Sequence, residues 1–159
     1  MDTSKTVERA IRILKCFSRS EPVITIPMLV QRLALPRTVV VRLVKTLESA
    51  GLVERVPNQN GYRIGRAAFE IGTVYLAANP FFSVATHALQ RLADETGSTV
   101  SLAVVDGAEA LYLARFEGRF PIRFAWEVGD RMPVTATAAG KAVLMCYSKG
   151  QLDALIGRG

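Results

Sequence analysis

Apolar residues in the first fifty positions recur at the helical period in three separate blocks. Val7, Ala10, Ile11, Leu14 and Phe17 share one face of a helix that Ser4 or Thr6 is placed to cap. Residues 18–22 end it. Thr25 heads a short second helix, with Pro27 tolerated in its first turn and Leu29, Val30 and Leu33 on its apolar side. Ala34-Leu35-Pro36 turns the chain into a third helix over about residues 36–50, stopped by Gly51. Thr38-Val39-Val40-Val41 is a β-branched run that by itself favours a strand. The wider period decides the matter: Val40, Leu43, Val44 and Leu47 fall at i, i+3, i+4 and i+7, which only a helix places on one face. Arg37, Thr38, Val41, Arg42 and Lys45 are left on the opposite face.

The pattern then shortens. Residues 52–56 and 62–64 are predicted strands around Pro57-Asn58-Gln59-Asn60-Gly61, where Asn-Gly is a strong hairpin signal. A helix is predicted over residues 66–78, then a break at Asn79-Pro80. A second helix over 81–96 is expected to bury Ala85, Ala88, Leu89 and Leu92 and to stop at Gly97. Strands are predicted at 100–105, 110–116 and 122–128, the first two joined through Asp106-Gly107-Ala108-Glu109. Thr135-Ala136-Thr137-Ala138-Ala139-Gly140 opens a helix into residues 141–147, and a last short helix begins near Ser148 or Lys149.

Charge changes this picture by its location. The chain has 159 residues and a formal net charge of +6. Residues 1–66 carry 12 Lys/Arg against 5 Asp/Glu, whereas residues 67–159 carry 8 against 9. A basic first part suggests contact with a polyanion, and a solvated basic surface is the plainer alternative. With half its residues apolar, the chain has material for a core and none of the marks of a disordered or low-complexity protein.

Other functional classes are poorly supplied. Cys16 and Cys146 form no CxxC motif and are expected to be buried, reduced residues of a cytosolic protein. Met1-Asp2-Thr3-Ser4-Lys5 leads into a charged stretch, so a signal peptide is not expected. Residues 71–90 lack Asp, Glu, Lys and Arg and are long enough to cross a bilayer. Asn79-Pro80 interrupts them, so two soluble helices and no membrane partner are expected. His87, the sole histidine, has no triad partners. No catalytic residue, metal site or cofactor is indicated, and the chain is not expected to be an enzyme.

Three helices and a two-stranded wing make a winged helix-turn-helix, whose third helix enters the major groove while the wing lies against the backbone. Arg37, Arg42 and Lys45 then face base edges or phosphates, Thr38 reaches either, and Val41 suits a thymine methyl. Arg55 and Arg63 on the wing are phosphate candidates. Double-stranded DNA is the expected partner, with a protein-interaction role for the winged helix as the alternative.

Val7-Glu8-Arg9-Ala10-Ile11-Arg12-Ile13-Leu14, Leu35-Pro36-Arg37-Thr38-Val39-Val40-Val41-Arg42-Leu43 and Leu47-Glu48-Ser49-Ala50-Gly51-Leu52-Val53 resemble the IclR family of bacterial transcriptional regulators. The resemblance continues through Tyr62-Arg63-Ile64-Gly65, Leu92-Ala93-Asp94-Glu95-Thr96-Gly97 and Thr135-Ala136-Thr137-Ala138-Ala139-Gly140-Lys141-Ala142. It implies an α+β chain: a DNA-binding domain over 1–66, a linker helix over 67–79, and a partial GAF/profilin-like antiparallel sheet domain with helices over 80–159. It also implies a cytoplasmic dimer or tetramer that controls a catabolic or metabolic operon in response to a small effector, often a carboxylic acid.

The chain departs from the family pattern in several places. Ala34 stands where Gly is usual, which in a left-handed conformation costs on the order of 1 kcal/mol. Thr38-Val39 replaces a Ser-Thr pair, Val41 an aromatic or His, and Thr135 a His. Family effector domains continue past the helix at Gly140-Lys141, so the resemblance implies a C-terminally shortened sensor with a sheet edge or face uncovered. Backbone N–H groups of Ala138, Ala139 and Gly140, with the Thr135 or Thr137 hydroxyls, would suit a carboxylate. Close packing of small residues explains the same stretch, and Trp126 and Tyr112 either line the pocket or fill the core, the core being the plainer expectation. The alternative function is a truncated interaction subunit that dimerises with full-length relatives and senses no effector.

Overall fold

The computed structural model describes residues 3–119 and 126–156. The chain divides into two compact units, Met1–Ala78 and Asn79–Gly159.

In the first unit, α1 (Lys5–Leu14), α2 (Ile26–Leu33) and α3 (Arg37–Ser49) precede a hairpin of β1 (Val53–Arg55) and β2 (Tyr62–Ile64), and α4 (Arg66–Ala77) follows. Thr25 caps α2, its hydroxyl accepting from the Met28 N–H at 3.5 Å. The core is the apolar faces of the three helices closed by the hairpin, with Ile13, Ile24, Leu29, Val40, Val44 and Val53 fully buried. Ile24 also bridges Tyr62 through a reciprocal pair of backbone hydrogen bonds, extending the small sheet by one residue. Ala34 is left-handed, with φ 51°, and ends α2.

Turn chemistry in the hairpin differs from expectation. Asn58, not Asn60, takes the positive φ of 62°. Gly61 is buried instead against the chain before α2, where a Cβ would come within 2.6 Å of Val23 Cγ1. Gly65 has a similar constraint, since a Cβ there would lie 2.2 Å from the Gly51 carbonyl oxygen. That approach lets Gly65 N–H donate to Leu52 O at 2.9 Å and Ala67 N–H donate to Gly51 O at 3.1 Å. α4 buries none of its residues within the unit, leaving Phe69, Ile71, Val74 and Tyr75 exposed.

The second unit opens with α5 (Pro80–Thr96), followed by β3 (Val100–Asp106), β4 (Glu109–Phe116) and β5 (Arg131–Pro133) in an antiparallel sheet of order β3-β4-β5. A 3-10 turn, Val134–Ala136, leads into α6 (Ala138–Leu144) and then α7 (Lys149–Ile156). Asn79-Pro80 is a helix start as well as a break: Asn79 Oδ1 accepts from the Phe81 N–H at 3.1 Å, and Pro80 needs no N–H partner there.

Three expectations are corrected. Within the predicted strand at 122–128, residues 126–128 belong to none of the strands, and 122–125 lie outside the described residues. The cause is a tight turn: Glu127 N–H donates to Asp130 Oδ2 at 2.7 Å, Asp130 N–H donates to Glu127 O at 3.0 Å, and Gly129 has φ 94°. The third strand follows that turn, at Arg131–Pro133. On α5, Ala85 and Ala93 are buried and Leu89 is half-buried, whereas Ala88 and Leu92 are exposed, because the stripe at every fourth residue faces β3 and β4. Neither cysteine is buried: Cys16 is half-buried with its thiol on the Arg12 carbonyl, and Cys146 is exposed beyond α6. No helix among the described residues is long and apolar enough to cross a membrane.

Candidate nucleic-acid interface

Burial of Val40, Leu43, Val44 and Leu47 fixes the rotation of α3 and turns its other face outward. There Thr38, Val41, Arg42, Lys45, Thr46 and Ser49 line an open groove of about 520 Å³. Thr46 and Ser49 turn their hydroxyls back onto the helix, donating to Arg42 O at 3.1 Å and Thr46 O at 2.8 Å. Thr38, Val41, Arg42 and Lys45 present the remaining chemistry. Arg37 is exposed in the first helical turn, beside the positive end of the helix dipole. Among the described residues, Arg37, Arg42 and Lys45 make no ion pair with a carboxylate. An anion is what such a face lacks.

The wing arginines differ. Arg63 stands opposite Glu54 in the β1–β2 register, and its Nε donates to Glu54 Oε1 at 2.6 Å. Arg55 lies 4.0 Å from a Glu48 carboxylate oxygen, with its guanidinium 5.3 Å from the Tyr62 ring centre. The sequence reading named Arg55 and Arg63 but not their acidic partners.

In the second unit a cavity of about 460 Å³ lies among β3, β4, β5 and the start of α6. Thr137, Ala138 and Ala139 line it, while Thr135 and Gly140 do not. The Gly140 N–H is already engaged, donating to Thr137 Oγ1 at 3.1 Å. Tyr112 and Trp126 stack with ring centres 3.9 Å apart and both face the cavity. They pack against each other and line the cavity at once, so the two roles considered for them are combined. Outside the cavity, Arg131 bonds Asp106 at 2.7 Å and Glu109 at 3.4 Å. Its guanidinium is held above its ordinary value, chiefly by the bond to Asp106.

Residues 6–57 match the family description "IclR helix-turn-helix domain", and residues 73–158 match "Bacterial transcriptional regulator IclR C-terminal". Among curated relatives, "Probable transcriptional regulator SauR" of Cupriavidus necator is 33% identical over 93% of this chain and 59% of its own length. "HTH-type transcriptional regulator XynR" of Escherichia coli is 30% identical over 98% of this chain and 62% of its own length. The chain thus spans about three-fifths of these relatives. A transcriptional regulator of Rhodococcus sp. RHA1 superposes with a TM-score of 0.82 at 23% identity, covering 99% of this chain and 62% of that one. An IclR homologue of Microbacterium hydrocarbonoxydans, solved with 4-hydroxybenzoate, superposes with a TM-score of 0.71 at 23% identity, covering 88% of this chain and 58% of that one. These two likenesses show the fold.

Proposed function

We propose, for a chain that belongs to the IclR family of bacterial transcriptional regulators, that it binds operator DNA through α3 and answers to a small carboxylate held in the second unit. The observation that carries the DNA reading is the outward face of α3, where Thr38, Val41, Arg42 and Lys45 stand together with, among the described residues, no carboxylate against either cation. Arg37 adds charge at the helix start, and Arg55 and Arg63 flank the site on the wing. Phosphate neutralisation by such cations makes affinity fall steeply with salt. A fluorescence-anisotropy salt titration against duplex DNA tests this; no binding at low salt would overturn it. Arg42→Ala is expected to weaken operator binding by about 1–3 kcal/mol if Arg42 grips a guanine, and unchanged affinity would remove that role.

For the effector, Thr137, Ala138 and Ala139 beside the stacked Tyr112 and Trp126 support a flat or short carboxylic acid. Thr135 and Gly140 contribute, on this reading, by shaping the entry to α6. The 4-hydroxybenzoate seen with a structurally similar regulator supports the same class. A rise in melting temperature with carboxylate metabolites, including that one, checks it. Homodimer or tetramer formation, a cytoplasmic location and control of a catabolic operon complete the proposal. A second reading, an interaction subunit that pairs with longer relatives and senses nothing, is favoured by the exposed apolar residues of α4. Absence of any ligand-induced thermal shift, together with co-purification with a full-length relative, would select it.

A further inference from the structure

We propose that Glu54 holds DNA affinity down by occupying Arg63, so that the wing meets the duplex as a nearly charge-neutral ribbon. This rests on the DNA-binding reading above and assigns a role to a carboxylate within that surface. The backbone itself makes the pair, because the antiparallel register sets Glu54 directly across from Arg63. The side chains then meet at 2.6 Å, with the carboxylate one-third and the guanidinium half exposed. Arg55 has a carboxylate of its own, that of Glu48 at 4.0 Å. Two wing arginines therefore face two glutamates, while Arg37, Arg42 and Lys45 on α3 face none among the described residues.

An exposed pair of this kind does little for folding. Its consequence falls on binding. A phosphate that approaches Arg63 must displace Glu54 and still meets the negative charge of that side chain directly across the ladder. Counterion release then gains little from Arg63, and the salt dependence of binding reports α3 more than the wing.

The test uses the full chain and a labelled mixed-sequence duplex. Glu54→Gln keeps the side-chain shape and a hydrogen-bond acceptor for Arg63, so the hairpin is preserved, which circular dichroism checks. Binding is expected to tighten roughly five- to tenfold at about 0.1 M salt, with the log–log salt slope steeper by about 0.9, the increment of one added phosphate contact. Glu70→Gln on α4 makes the same change in net charge away from the wing and should give a smaller gain. In an Arg63→Ala background, Glu54→Gln should give no more than Glu70→Gln does. Three results would overturn the proposal: a Glu54→Gln protein with wild-type affinity and slope, a gain that survives loss of Arg63, or an Arg63→Ala protein whose slope is already shallower by about 0.9 than wild type. Salt-dependent binding by the wild type in those cases leaves the DNA-binding reading standing. A wild type that binds no duplex at low salt removes both.

Discussion

The two units solve the burial of apolar residues in different ways. In the first, three helices and a hairpin converge, and the fully buried side chains are branched: Ile13, Ile24, Leu29, Val40, Val44 and Val53. In the second, the buried hydrophobic residues among those described are Ala85, Ala93, Ala110, Tyr112 and Val134, three of them alanine. Larger side chains on α5, such as Phe81, Val84 and Leu92, face outward. Apolar burial contributes in proportion to area, about 25 cal/mol per Å², so an alanine-lined contact holds a helix to a sheet only lightly. The difference fits the tasks proposed for them: a helix that is to read DNA needs a fixed rotation, and a unit that is to answer a ligand needs room to respond.

The largest test of that contrast is Leu29→Ala, which removes a fully buried branched side chain from the first unit. It should destabilise α3 by about 2–5 kcal/mol, read from the slowest-exchanging α3 amides by hydrogen exchange. A loss well below that would mean the core is looser than its burial implies. Ala34→Gly acts in the opposite sense, relieving the left-handed Ala34 at φ 51°. An increase of about 0.5–1 kcal/mol in the same exchange experiment is expected; no change would mean that the flexibility gained by the unfolded chain offsets the relief. The smallest effect belongs to Leu92→Ala, the same exchange of side chains as at Leu29 but on a residue 44% exposed. Its cost, measured by chemical denaturation, should stay within about 0.5 kcal/mol. A cost as large as that at Leu29 would show that something covers the outer face of α5 in solution and would break the contrast.

Much of the first unit was legible because its signals were periodic over ten residues or more. The spacing of Val40, Leu43, Val44 and Leu47 outweighed a β-branched run and oriented the outward face of α3 with it. Two details of the hairpin were not legible. Asn58 rather than Asn60 turns the chain because the buried Gly61 is fixed by Val23, a neighbour distant in sequence. Glu54 escaped notice because an ion pair across a ladder is visible only once the register is set. In the second unit the signals were short. Trp126-Glu127-Val128 has strand composition, yet the Asp130 carboxylate and Gly129 bend it into a turn that one-dimensional pattern does not encode. On α5, several small and large apolar residues offered rival stripes, and the sheet chose the one with alanines.

The close approach of Gly65 to Gly51 has a mechanical consequence. Leu52 N–H donates to Leu47 O in α3, Gly65 N–H donates to Leu52 O, and Ala67 N–H in α4 donates to Gly51 O. Backbone hydrogen bonds thus gear the tail of α3 to the head of α4, bypassing the hairpin that separates them in sequence. Torque applied along α4 has no slack loop in which to dissipate and bears on the pitch of the helix that faces the groove. A side chain at position 65 would open that joint like a wedge.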